Sequence, residues 1–204
     1  MAKTKTRIIG ITGNIGSGKS SVAKLLVEKG AVLIDADKIA KEATTKPEIL
    51  AQISKELAKD LVTDGKLNRQ KTADLIFNDN EAREKLNNII HPWVRSRSRA
   101  RIKDLKEQAC PPPIILQDIP LLYENGLEHT VDAVIVVFAP IDERIKRVIK
   151  RSNLSEEDIR ARDAAQKPLV EKLARADYII DNTKGTKELE QEVDRLWLEL
   201  VKKN

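Results

Sequence analysis

Eight residues near the start of the chain have the types and spacing needed to hold a polyphosphate. Gly13-Asn14-Ile15-Gly16-Ser17-Gly18-Lys19-Ser20 fits G-x-x-x-x-G-K-[ST] at every fixed position. Glycines in such a loop let the backbone turn its N–H groups inward around phosphate oxygens. The lysine reaches the β- and γ-phosphates. The Ser20 hydroxyl suits magnesium, a hard cation that takes few protein ligands beside phosphate and water. A helix opening at Lys19 would add the partial positive charge of its N-terminus at the same spot. These eight residues, with Ser21 directly after them, are the candidate nucleotide contacts, and Ser20 is the candidate metal ligand.

Three further groups carry possible chemistry. Asp35-Ala36-Asp37 closes an apolar run, and a carboxylate there could take a proton from an attacking hydroxyl or hold magnesium through water. The alternative for Asp37 is a helix N-cap, with a helix starting at Lys38. Ile114-Ile115-Leu116-Gln117-Asp118 is an apolar run ending in an acid, the form of a second magnesium-associated motif or of an ordinary turn. Arg144, Arg147, Arg151, Arg160 and Arg162 surround a charged segment. A guanidinium can donate two hydrogen bonds at once to phosphate, so these arginines suit a cover that closes over a nucleotide. A solvated helix face is the plainer reading of such charge, and it is also the reading given to Arg95, Arg97, Arg99 and Arg101. His91 before Pro92 marks an expected helix start, because proline is favoured in a first turn.

The elements that must position these groups follow from periodicity. Residues 7–12, 31–35, 113–117, 133–138 and 178–180 are short apolar runs, as expected for parallel strands covered on both faces. Residues 19–28 form an amphipathic helix, with Gly30 where a C-terminal cap is favoured. Alternation of this kind predicts a three-layer α/β fold. Ligands of open parallel sheets bind at the carboxyl ends of strands, where the loop, Asp37 and Asp118 all fall. Residues 47–106 are polar and helical in pattern, with no convincing strand. Residues 154–167 are charged, have few apolar anchors, and begin with a capping box at Ser155-Glu156-Glu157-Asp158.

Composition excludes several classes. The 204 residues suit one α/β domain with small insertions, and 41% apolar content suffices for a core. Cys110 is the only cysteine, so no internal disulfide or cysteine-based metal site can form. No run approaches about 20 apolar residues, and the basic N-terminus is followed by too short an apolar stretch for a signal peptide. A cytoplasmic protein is expected. The net charge of +5 and pI of about 9.2 fit polyanionic ligands. With aromatics at 3%, stacking on single-stranded nucleic acid is disfavoured. A GTPase normally carries Asn-Lys-x-Asp, and the nearest string here is Asn182-Thr183-Lys184-Gly185.

The ordered strings resemble the dephospho-coenzyme A kinase family. They are Ile11 to Ser20, Ile34-Asp35-Ala36-Asp37, Leu86 to Pro92, Asp118-Ile119-Pro120-Leu121-Leu122-Tyr123-Glu124, Arg162 to Gln166, and Ala176 to Asn182. Together they span nearly the whole chain. Asn14, Ser21 and Tyr123 stand where the family commonly has Gly, Thr and Phe. The resemblance implies a P-loop kinase fold with a five-stranded parallel sheet, a helical substrate-binding insert at residues 44–108 and a lid at 142–167. It implies transfer of the ATP γ-phosphate to the ribose 3′-hydroxyl of dephospho-CoA, with Mg2+. Asp37 and Lys19 would be catalytic, with Arg147 and Arg151 near the lid and phosphates. Thr12, Asp37, His91, Pro92, Asp118 and Leu121 would contact the acceptor. No nucleic acid, membrane or obligate protein partner is implied. The rival readings are a nucleoside monophosphate or sugar kinase, and a nucleic-acid-stimulated ATPase.

Overall fold

The computed structural model describes residues 5–202; the first four residues of the basic N-terminus lie outside the described residues. In chain order, β1 (Arg7–Thr12) leads into α1 (Lys19–Glu28) and β2 (Val32–Asp35). Then come α2 (Ala36–Ala43), α3 (Pro47–Glu56), β3 (Val62–Thr63), β4 (Lys66–Leu67), α4 (Arg69–Asn78) and α5 (Asn80–Lys106). The chain continues with β5 (Ile114–Asp118), β6 (Ala133–Phe138), α6 (Ile141–Arg151), α7 (Glu156–Ala164), α8 (Leu169–Ala174), β7 (Tyr178–Asp181) and α9 (Thr186–Lys202). Two compact units result: Met1–Ile34 with Lys106–Asn204, and Asp35–Leu105.

The first unit is a three-layer α/β fold. Its five-stranded parallel sheet has the order β2-β5-β1-β6-β7. Strand register sets Ile11 beside both Asp118 and Ile135, so the loop after β1 and the acid ending β5 leave the sheet at one edge. Alternation sorts the strand side chains between the two faces. Ile9, Ile11, Ile114, Leu116, Ile135 and Val137 pack with Val22 and Leu26 of α1 and with Val193 and Leu196 of α9. The intervening Val134 and Val136 pack with Leu122, Tyr123 and the α8 residues Leu169 and Leu173. Both faces are apolar because both are covered.

Lys172 of α8 is 0% exposed, and its ammonium lies 2.7 Å from Glu124 Oε1. The contact is close but poorly directed as a hydrogen bond. The same oxygen accepts the Lys167 N–H at 2.9 Å. Burial raises the Glu124 pKa, but the close Lys172 ammonium and the backbone N–H bonds outweigh it, so the carboxyl lies below its ordinary value.

The second unit has its own core: Ile49, Ile53, Leu61, Leu86 and Ile89, with Leu75 and Trp93 against them. Two expectations are corrected here. No helix starts at His91. Helix α5 runs from Asn80 through Pro92 to Lys106, and Asp79 Oδ1 accepts the Ala82 N–H at its start. Pro92 forfeits the bond to the Asn88 carbonyl, but burial of Leu86 and Ile89 before it and packing of Trp93 after it keep the helix continuous. The second correction is the β3–β4 hairpin, whose Asp64-Gly65 turn has φ of 51° and 68°. Both values are left-handed, as a two-residue turn of this kind requires.

The buried Lys172 charge generates a test. Glu124→Ala should lower unfolding free energy by about 3–5 kcal/mol, since it leaves the ammonium unpaired in the core. Glu124→Leu with Lys172→Met should recover most of that loss in chemical denaturation. An equal loss in the double variant would mean that packing, not charge, is what Glu124 supplies.

Candidate functional site

The loop between β1 and α1 is shaped by two glycines. Gly16 has φ of 79°, and a Cβ there would lie 2.6 Å from the Arg144 carbonyl oxygen. Gly18 has φ of 88°, and its Cβ would lie 2.0 Å from Asn182 Nδ2. Gly18 is also the residue before α1, and no side chain caps that helix. Among the described residues, the N–H groups of Gly16, Gly18, Lys19 and Ser20 have no acceptor. Helix starts normally satisfy such donors with a capping side chain or water. A helix start left bare over a glycine turn is an anion site. The buried Ser17 hydroxyl likewise has no partner.

Side chains from elsewhere hold the loop. Arg144, expected as a lid arginine over phosphate, is instead 3% exposed and spent on the protein. It donates to Asp163 at 2.6 and 3.1 Å, to the Ile15 carbonyl at 3.1 Å and to the Ala139 carbonyl at 3.0 Å. The Asn14 amide donates to Asp163 at 2.8 Å, and the Ile15 N–H donates to Gln166 Oε1 at 2.8 Å. Burial raises the Asp163 pKa, but its bonds from Arg144 and Asn14 outweigh that and hold the carboxyl below its ordinary value. Arg147 donates to the Asn182 carbonyl at 2.6 Å and to the Ser17 carbonyl at 3.4 Å, while Asn182 Nδ2 donates to the same Ser17 oxygen at 2.8 Å. Thr12, at the end of β1, is buried and donates to the Pro120 carbonyl at 3.0 Å.

Lys19 is ion-paired with Asp118, with exposures of 17% and 12% for the two side chains. Ser20 and Ser21 are exposed at the opening of α1. The structure therefore brings Gly13–Ser21, Lys19, Asp118 and Arg147 together. Arg151 ends α6 with an exposed side chain that makes no hydrogen bond or ion pair among the described residues. Leu121 is 41% exposed.

In the helical unit, Asp35 is the N-cap of α2, its carboxylate accepting the Lys38 N–H at 2.9 Å. The helix starts at Ala36, so Asp37 is not its cap but an exposed first-turn residue. His91 is half-buried, and burial followed by the nearby Arg95 charge lowers its pKa. Residues 154–167 are better anchored than their composition implies. The Ser155 capping box forms, but Ile159 is fully buried against Ile145 and Val148, with Leu154 and Ile15 beside them.

Sequence reasoning missed Asp163, Gln166 and Asn182 as loop-holding residues. Their only signal lay in the strings that carry the family resemblance, since hydrogen bonds spanning 149–165 positions leave no local pattern.

Gly18→Ala should cost more than the roughly 1–2 kcal/mol of left-handed strain alone, because the methyl also displaces Asn182. Thermal unfolding and nucleotide titration of this variant should both weaken. Wild-type values in both would refute the steric account.

Comparison with known proteins matches this geometry to one group. The sequence pattern of the dephospho-CoA kinase family matches residues 7–188. A dephospho-CoA kinase of Streptomyces avermitilis is 42% identical over 195 residues, covering 95% of this chain and 93% of that protein. One from Deinococcus radiodurans is 42% identical over 191 residues, covering 94% of this chain and 91% of that protein. Among solved structures, a Thermus thermophilus protein superposes with a TM-score of 0.82 at 39% identity, covering 96% of this chain and 98% of its own. The dephospho-CoA kinase of Campylobacter jejuni gives 0.72 at 29%, covering 98% and 100%. A shikimate kinase of Acinetobacter baumannii, at 16% identity and a TM-score of 0.52, shares the fold alone. With a family match over most of its length and relatives this similar, the chain belongs to the dephospho-CoA kinase family.

Proposed function

We propose that the chain transfers the γ-phosphate of ATP to the ribose 3′-hydroxyl of dephospho-CoA, giving CoA and ADP. The observation that carries this reading is the row of unpaired N–H groups at Gly16, Gly18, Lys19 and Ser20, beside the Lys19 ammonium, in a chain of this family. Those donors and the start of α1 would receive the polyphosphate. Lys19 would exchange Asp118 for phosphate oxygens as nucleotide arrives. Arg147, already against the Ser17 carbonyl, is the better placed of the two expected arginines to neutralise charge on the moving group. Residues 142–167 are read as the lid and 44–108 as the acceptor-binding insert, with His91, Pro92 and Leu121 among the acceptor contacts.

The residues present fit magnesium. The Ser20 hydroxyl and Asp118 carboxylate are hard oxygen donors, and so few protein ligands leave room for phosphate and water. When bound, the cation would neutralise charge on the phosphates. No described helix is long and apolar enough to cross a membrane; we place the chain in the cytoplasm. The reaction needs small molecules only, so no nucleic acid or protein partner enters it.

Asp37 is the proposed acceptor-side base. It is two residues past the carboxyl end of β2, is exposed, and has no capping duty, which Asp35 performs. Asp37 would take or orient the 3′-hydroxyl proton. Phosphoryl transfer is often loose, so the proton leaves late and the base contributes toward the lower end of its usual range.

Initial rates with Mg-ATP across dephospho-CoA, AMP and sugar acceptors test the assignment, with CoA followed by mass. Dephospho-CoA should be strongly preferred; a faster rate with another acceptor contradicts the proposal. Asp37→Asn should lower kcat at least about 10²-fold with little change in stability or Mg-ATP affinity. Asp35→Asn keeps a capping oxygen and should be mild, whereas Asp35→Ala should cost about 1 kcal/mol of stability. If Asp35→Asn is the more damaging to turnover, the base has been assigned to the wrong carboxylate.

A further inference from the structure

The side chain of Asn14 is buried and joins the Arg144–Asp163 ion pair. Its amide donates to Asp163 Oδ1 at 2.8 Å and more weakly to the Lys167 carbonyl at 3.4 Å. Asp163 is fixed in turn by both arms of Arg144, whose Nε and Nη1 also hold the carbonyls of Ala139 and Ile15. Three residues beyond Asp163, Gln166 Oε1 accepts the Ile15 N–H. Both polar backbone groups of Ile15 are therefore taken, and so is the donor half of Asn14. The Asn14 side-chain oxygen, Oδ1, is left without a partner, as expected if Asp163 dictates which way the amide faces. A carboxylate this close to a polyphosphate site would repel the ligand unless neutralised, and Arg144 neutralises it.

We propose that Arg144, Asp163 and Asn14 form a positioning clamp that fixes the first half of the phosphate loop in its nucleotide-accepting form. The clamp also makes the end of α7 a fixed anchor, so any closing movement of the 142–167 segment hinges before Asp163. This rests on the proposed nucleotide function of the loop. None of the three side chains needs to touch the nucleotide: they act through the backbone of Asn14 and Ile15. Fixing one residue's backbone costs about 1–2 kcal/mol, close to a factor of ten in binding. A loop released from the clamp must meet that cost each time ATP binds.

The informative variant is Asn14→Ala. Residue 14 is not in the left-handed region, so alanine fits without strain, and the Arg144–Asp163 pair stays intact. Arg144→Ala alone leaves Asp163 without its counter-charge and opens a cavity under the loop, so it is uninformative. The second background is Arg144→Met with Asp163→Leu, which removes both charges together and is expected to fold.

The full chain and these variants are compared for Mg-ATP dissociation constant, for KM of ATP and of dephospho-CoA, and for Tm. Asn14→Ala should raise the ATP dissociation constant and the ATP KM about tenfold. The KM for dephospho-CoA should stay within about twofold and Tm close to the original. In the Arg144→Met/Asp163→Leu background, Asn14→Ala should have no further effect on ATP binding, because the clamp is already open. A full additional loss there would show that Asn14 contacts the nucleotide directly, overturning the clamp. A lowered Tm with unchanged ATP affinity would reduce the cluster to fold stability, also overturning it. Absence of ATP binding by the unaltered chain would overturn both the clamp and the function it serves.

Discussion

Four backbone N–H groups at the start of α1 have no acceptor among the described residues, and the fold around them keeps them so. A protein normally pairs such donors. Here glycines at 16 and 18 allow left-handed turns at positions where a Cβ would collide with Arg144 or Asn182. No serine or aspartate precedes α1 to cap it; the residue there is Gly18. Three side chains around the loop are engaged with other atoms instead: Asp163 with Arg144, Gln166 with Ile15, and Asn182 with the Ser17 carbonyl oxygen. The sheet supplies the platform, since the loop leaves β1 beside the acid that ends β5.

Three ion pairs around this site differ in how deeply the cation is buried, and that separates their roles. Lys172 is wholly buried against Glu124 and joins α8 to the turn after β5. Arg144 is nearly as buried against Asp163 and joins α6 to the end of α7 and the loop. Breaking either leaves a charge inside protein, so both are fixtures. Lys19, at 17% exposure, is the most open of the three cations, and it sits in the phosphate loop itself beside a largely buried Asp118. A cation that is not locked in the interior can change partners, which suits a lysine that must turn to phosphate when nucleotide arrives. The two fixed pairs thus hold the frame in which the third can exchange partners.

Local chemistry was legible in the sequence and distant pairing was not. The phosphate loop, the limits of α1 and the Ser155 capping box depend on residues within a few positions of one another, and each formed where the pattern put it. Strand β6 was legible because an apolar run in a covered sheet has no competing reading. Pro92 misled, because its preference for a first turn is weaker than burial of Leu86 and Ile89 on the turns before it. The β3–β4 hairpin was hidden by its two-residue strands, although Asp64-Gly65 was there to be read. The arginine-rich segment showed the limit of counting charges. Arg144, Arg147 and Arg151 lie on one helix, yet one is buried in the frame, one meets the loop and one faces solvent.

The central claim is that the bare N–H groups of the loop are the phosphate donors. Amide spectra of the 15N-labelled chain, titrated with Mg-ATP, test it directly. Gly16, Gly18, Lys19 and Ser20 should show the largest downfield proton shifts, as hydrogen bonds to anionic oxygens form, while Ile15, already bound to Gln166, should move little. If the largest shifts fall outside the loop, or if those four amides stay at their ligand-free positions at saturation, the account of this site is wrong.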